Sequence, residues 1–118
     1  MSKTTIPIKY AMISQPMQGL SDEAILEVRK AAEEYLKTQG YTVLDTLCIS
    51  EATNDFVHPT SRALYCLGWA IKAMGICDAV YFCNGWEQDR GCRVEHETAA
   101  TYGLKILYES NEEMKGYV

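Results

Sequence analysis

Two short stretches of the chain hold side chains whose types and spacing can do chemistry. Residues 84–97 read Asn-Gly-Trp-Glu-Gln-Asp-Arg-Gly-Cys-Arg-Val-Glu-His-Glu. Helical spacing from Gly91 onward sets Gly91, Glu95 and Ala99 on one face and Cys92, His96 and Ala100 on the next. A carboxylate one turn into a helix and turned toward a cleft can act as nucleophile or base, or simply accept from a sugar hydroxyl. Glu95 is that carboxylate; the competing reading sets Glu95 and Glu97 on a solvated helix face. Gly91 lets backbone approach a ligand closely. Trp86 offers a flat surface to a base or sugar, or serves as a hydrophobic lid on the core. The second stretch, Ser14-Gln15-Pro16-Met17-Gln18-Gly19, has one glycine in six residues, so it is neither a dinucleotide fingerprint nor a Walker loop. It leads into a helix N-terminus, whose free N–H groups can hold a phosphate or carboxylate. An ordinary strand-to-helix turn reads the same way.

Metal chemistry is weaker. The five cysteines at 48, 66, 77, 83 and 92 include no Cys-x-x-Cys pair. Cys92 and His96 are four apart, but a structural zinc site needs two further ligands, and only Cys83 is near in sequence. Reduced thiols, no metal and no cofactor are the expectation.

These stretches need positioning, and the rest of the chain alternates strand and helix to do it. A first strand runs from Ile6 to Ser14. Ser21 caps a first helix, with Asp22 and Glu23 in its first turn and Ile25, Val28, Ala32, Tyr35 and Leu36 at helical spacing, up to Gly40. Tyr41 to Leu44 is a short second strand, followed by an irregular connection over 45–60 that contains His58. Thr60 or Ser61 caps a second helix with Leu64, Leu67, Ile71 and Met74 on its apolar face and Gly75 at its end. Ala79 to Cys83 is a third strand, apolar throughout, as a strand covered on both faces should be. A third helix spans about Gly91 to Tyr102, and Leu104 to Tyr108 is a fourth strand. The tail from Glu109 is polar. This alternation predicts one α/β domain over 1–118, with a core of about 6–108. Its fold class is a three-layer α/β sandwich, a parallel sheet of four to five strands with helices on both faces. Ligands bind such sheets beyond the strands' carboxyl ends, where strand order reverses. The loops after the first and third strands, 14–19 and 84–91, meet that condition.

Composition narrows the partners. The chain has 118 residues, 47% hydrophobic and 23% charged, which excludes disorder, collagen and coiled coil as its organisation. Eleven Lys and Arg against sixteen Asp and Glu give a net charge of -5, with no basic run to grip a nucleic-acid backbone. No apolar run is long enough to span a membrane. The first residues lack the pattern of a signal peptide, so a cytoplasmic location is expected.

The ordered set Ile13-Ser14-Gln15-Pro16-Met17-Gln18-Gly19, Cys77-Asp78-Ala79-Val80-Tyr81-Phe82, then Gly85-Trp86, Arg90-Gly91 and Glu95 with Ala99, resembles the nucleoside 2-deoxyribosyltransferase-like superfamily. Within it, the chain is most similar to a group of small domains common in bacteria and phages. The resemblance covers about residues 8–108. It implies a flavodoxin-like fold, a homodimer or larger homo-oligomer, and a nucleoside or nucleotide as partner. It also implies cleavage or transfer at the N-glycosidic bond, with Glu95 as the catalytic nucleophile. Met12, Ser14, Gln15, Pro16, Met17, Gly19, Trp86, Asp89 and Gly91 become the substrate-binding set, and His58 could reach the site from above. A helix N-terminus nearby is expected to keep Glu95 ionised.

The chain departs from the family at supporting positions. Met12 stands where a tyrosine is usual, with Tyr10 two residues earlier on the same strand face. Gln15 replaces a glycine, Ala70 an aspartate, and Asp89 a hydroxyl residue that would meet a phosphate. Asp78, just before a buried strand, reads as structural. Residues that act as a unit fail together, so these departures also open a second reading: a nucleotide-binding protein that senses or sequesters without catalysis, or an interaction domain.

Overall fold

The computed structural model describes residues 7–46 and 62–110. Four strands form one sheet: β1 (Lys9–Ser14), β2 (Tyr41–Val43), β3 (Ala79–Phe82) and β4 (Lys105–Tyr108). All neighbours pair in parallel, in the order β2-β1-β3-β4. Among the described residues three α-helices connect or follow them: α1 (Asp22–Thr38), α2 (Arg62–Met74) and α3 (Arg90–Thr101), with a 3-10 turn at Trp86–Gln88. The expected α/β sandwich is thus present with four strands. The chain winds outward from β1 to β2, then returns across β1 to β3. The reversal falls between β1 and β3, whose following loops are the two nominated from the sequence.

Strand alternation sorts the core into two layers. Ala11 and Ile13 of β1, with Ala79 and Tyr81 of β3, meet Ala32 and Leu36 of α1 on one face. Met12, Val80 and Phe82 face the other way, against Ala70 and Met74 of α2 and Ala99 of α3. The strands are slightly shorter than the sequence predicts. β1 starts at Lys9, yet its ladder continues past β2 and β3: Leu44 N donates to Ala11 O at 2.9 Å, and Cys83 N to Ser14 O at 3.0 Å.

Local signals fix the helix ends. Ser21 is the N-cap of α1, its hydroxyl accepting from Ala24 N at 3.1 Å. Asp78 is structural, as expected: its Oδ2 accepts from Tyr10 N and its own N donates to Tyr10 O, each at 2.8 Å, which locks β3 onto β1. The expected caps Thr60 and Ser61, and most of the 45–60 connection with His58 and Cys48, lie outside the described residues. Among the described residues no helix is long and apolar enough to cross a membrane.

Leu36 is fully buried between α1 and the sheet, whereas Leu26 on the same helix is 54% exposed. Leu36→Ala should therefore lower unfolding free energy by about 2–5 kcal/mol through lost burial and a residual cavity. Leu26→Ala should change it by less than about 0.5 kcal/mol. Urea denaturation of the two variants checks the pair.

Candidate functional site

Residues 14 and 15 end β1, and their side chains leave on opposite faces. Ser14 is buried and points toward α3, where its Oγ donates to Glu95 Oε1 at 2.5 Å. Gln15 turns toward α1. Its Nε2 donates to Ile25 O at 2.7 Å, and its Oε1 accepts from Arg29 Nη1 at 2.9 Å. Arg29 Nη2 donates to Thr46 Oγ1 at 3.2 Å, just past β2. Two adjacent residues thus hold one carboxylate and one guanidinium, both buried, at the strand-order reversal.

A cleft of about 950 Å³ opens there. Gln15, Met17 and Gln18 line it from the β1 loop, and Arg29 and Thr46 from the α1 side. Ala63, Leu64, Leu67 and Ala70 of α2 form an apolar wall, and Asp89, Gly91, Cys92 and Glu95 line the α3 side. The α3 face that turns inward carries Cys92, Glu95 and Ala99.

The expected residues divide into those the cleft gathers and those it does not. Glu95, Gln15, Met17, Asp89 and Gly91 line it, and Ser14 stands behind Glu95 as its hydrogen-bond donor. Met12 lies in the core beneath, packed with Val80 and Phe82. Pro16 packs near Gly85: a Cβ at Gly85, whose φ is +91°, would lie 3.6 Å from Pro16 Cγ, so the two loops meet closely there. Gly19 is outside the cleft lining. Trp86, expected on the base side, also lies outside it. Trp86 stacks on His96, with ring centroids 4.1 Å apart and planes at 12°, over Phe82 and beside Tyr108. His96 Nε2 is 2.6 Å from the Tyr108 hydroxyl. Trp86 therefore works here as the hydrophobic lid of the second core layer, anchoring the turn that delivers Asp89.

Cys92 and His96 diverge, one into the cleft and one into the aromatic cluster. Among the described residues no group of three His, Cys, Asp or Glu side chains is assembled that could hold a metal ion. Cys77, Cys83 and Cys92 are buried. Cys66, on the cleft wall, is disulfide-bonded, which corrects the expectation of reduced thiols throughout. Bridging depends on proximity across the fold, which cysteine spacing does not report.

Electrostatics also correct one expectation. Asp89 is the N-cap of α3, its Oδ1 accepting from Cys92 N at 2.9 Å. A Cβ at Gly91 would lie 3.3 Å from that same oxygen, so glycine here makes room for the cap itself. The helix end is filled by the protein's own carboxylate. Glu95 lies beyond the first turn, where the dipole fades. Burial pushes Glu95 up to about 7, Ser14 holds it back, Asp89 pushes it further up, and Arg29 opposes that rise. Burial likewise raises the Cys92 thiol far above its usual range. A carboxyl poised near neutrality in a cleft can serve as nucleophile, base or acid.

Arg29 and Thr46 are the site residues that sequence reading missed. The signal was available: Arg29 interrupts the apolar face Ile25, Ala32 and Leu36 at its own helical spacing, and a cation placed there has to be buried.

A buried acid with a raised pKa binds more protons folded than unfolded between about pH 4.5 and 7, so stability falls as pH rises through that window. Glu95→Gln removes the charge and keeps an acceptor for Ser14. It should match the wild type near pH 5 and exceed it by about 2 kcal/mol at pH 8. Urea denaturation at both pH values checks the sign.

Among curated proteins none matches the chain. Residues 9–108 match the family model described as domain of unknown function DUF4406, and the chain belongs to that family.

Proposed function

We propose that the cleft binds a nucleoside or nucleotide and that Glu95 acts at its anomeric carbon, cleaving or transferring the N-glycosidic bond. The observation that carries this reading is Glu95 itself: a buried carboxylate, oriented by Ser14, at the strand-order reversal, with an ionisation midpoint near neutrality. In the first step a Glu95 oxygen bonds to the anomeric carbon as the C–N bond breaks through an oxocarbenium-like state. The base departs with the bonding pair and takes a proton from water. Water or a second base then attacks the same carbon and releases Glu95. The apolar α2 wall suits a base or sugar face, and the polar α3 side suits sugar hydroxyls. A cytoplasmic location belongs to the same proposal.

Asp89 favours a second reading, in which the cleft binds such a ligand without breaking it. Its carboxylate fills the α3 N-terminus that would otherwise attract a phosphate, and it works against ionisation of Glu95.

Incubation with a panel of deoxynucleosides and their monophosphates, followed by chromatography, should release free base. Glu95→Gln should cut the rate by about a thousandfold or more. The nucleophile must be ionised, so kcat/KM should rise with pH through about 7. Release of base that survives Glu95→Gln overturns the assignment. Thermal stabilisation by a ligand without turnover selects the second reading.

A homo-oligomer is also proposed, with a second copy covering α2. Leu64, Tyr65 and Trp69 on α2, and Ile76 just after it, are 69%, 46%, 51% and 63% exposed, and Leu64 also lines the cleft. Trp69→Glu should reduce the mass seen in sedimentation to that of one chain, while the circular dichroism spectrum stays unchanged.

A further inference from the structure

Arg29 is buried to 5% exposure, yet both of its hydrogen-bond acceptors, Gln15 Oε1 and Thr46 Oγ1, are neutral. Its Nε–H has no hydrogen-bond partner among the described residues. A guanidinium so placed is costly to bury, and only its charge offsets that cost, through Asp45 and Glu33 and, inside the cleft, Glu95. Packing alone would be met by an aliphatic side chain, as it is at Ile25 and Leu36 on the same face of α1.

We propose that Arg29 is the positioning residue of this cleft: through Gln15 it fixes the end of β1 that presents Ser14, and its positive charge stabilises the Glu95 carboxylate. The groups facing Glu95 leave that task to Arg29. From α3, Asp89 adds a like charge, and Cys92 is held neutral by burial. From β1, Ser14 supplies a neutral donor. The cleft wall from α2 offers Ala63, Leu64, Leu67 and Ala70, all apolar, and Cys66, whose sulfur is disulfide-bonded. Arg90 and Arg93 line the cleft from the start of α3, but both are exposed, and solvent and salt screen exposed charges. Of the two described charges that act on Glu95, Asp89 opposes its ionised form and Arg29 favours it.

The inference rests on the proposed function only in taking Glu95 as the working carboxylate. Its test needs no substrate. In protein carrying 13C-labelled glutamate, the Glu95 carboxyl signal is assigned by its loss in Glu95→Gln and followed against pH. The wild type should titrate at about 7. Arg29→Gln, which is neutral but can still bond to Gln15, should raise the midpoint by about one pH unit, the low end for loss of an opposite charge. Arg29→Lys should stay close to the wild type, because the charge is kept. An unchanged midpoint in Arg29→Gln, or a Lys variant that shifts as far as the Gln variant, overturns the proposal. If Arg29→Gln does not fold, Arg29→Met combined with Gln15→Leu removes the cation together with the amide it satisfies, and the same shift is expected. A role confined to packing would lower the melting temperature without moving the Glu95 midpoint. Absence of nucleoside turnover would defeat the proposed function and leave this titration to stand or fall by itself.

Discussion

The site depends on the pleat of β1 at its last hydrogen-bonded turn toward the loop. Ser14 and Gln15 are neighbours in the chain, so strand geometry sends them to opposite faces of the sheet. One grips a carboxylate from α3 and the other a guanidinium from α1. A single backbone segment therefore sets the distance between two helices that belong to different layers. Shifting β1 by one residue would exchange the two side chains and break both contacts at once. The ladder that prevents such a shift is well supplied: β1 pairs on both edges, and Asp78 clamps its start from the β3 side.

The same arrangement creates an electrostatic conflict that the fold tolerates. Desolvation and Asp89 both oppose charge on Glu95, while Ser14 and Arg29 favour it. Arg29 is itself desolvated, which lowers its own proton affinity, with Asp45 and Glu33 the largest of the influences that restore it. Two buried opposite charges held by neutral hydrogen-bond partners are a poor way to gain stability. They are a good way to keep a carboxyl responsive near neutral pH, because neither protonation state is strongly preferred. The helix ends bear on this as well. Ser21 and Asp89 cap α1 and α3 with the protein's own oxygens, so those two positive helix termini are already satisfied.

Much of this was legible in the residues. The apolar run Ala79 to Phe82, the Ser21 cap and the helical spacing of α1 are local signals, and each element formed where those signals put it, within a residue or two. The two loops at the strand-order reversal follow from alternation of strand and helix alone. What was not legible depends on which way a side chain turns. Trp86 stands in a loop beside the cleft in sequence, but the 3-10 turn Trp86–Gln88 carries it over β3 and β4 to His96 and Tyr108. Arg29 is one of several charges on α1, and only its place on the buried face with Ile25, Ala32 and Leu36 sets it apart. The disulfide at Cys66 reflects proximity across the fold, to which cysteine spacing is blind.

Helix α3 shows how one short element can serve two structural demands. Its inward face, Cys92, Glu95 and Ala99, meets the sheet and the cleft, while His96, one residue on, leans the other way into Phe82, Trp86 and Tyr108. That aromatic contact holds the preceding turn in place, and the turn ends in Asp89, which caps the helix. The loop, the cap and the carboxylate are therefore parts of one rigid unit rather than three independent features. Met12 and Ala70 pack in the core layer beneath this unit, and Ala70 also reaches the cleft wall. The Glu95 carboxylate is thus positioned by that unit from one side and by Ser14 at the end of β1 from the other.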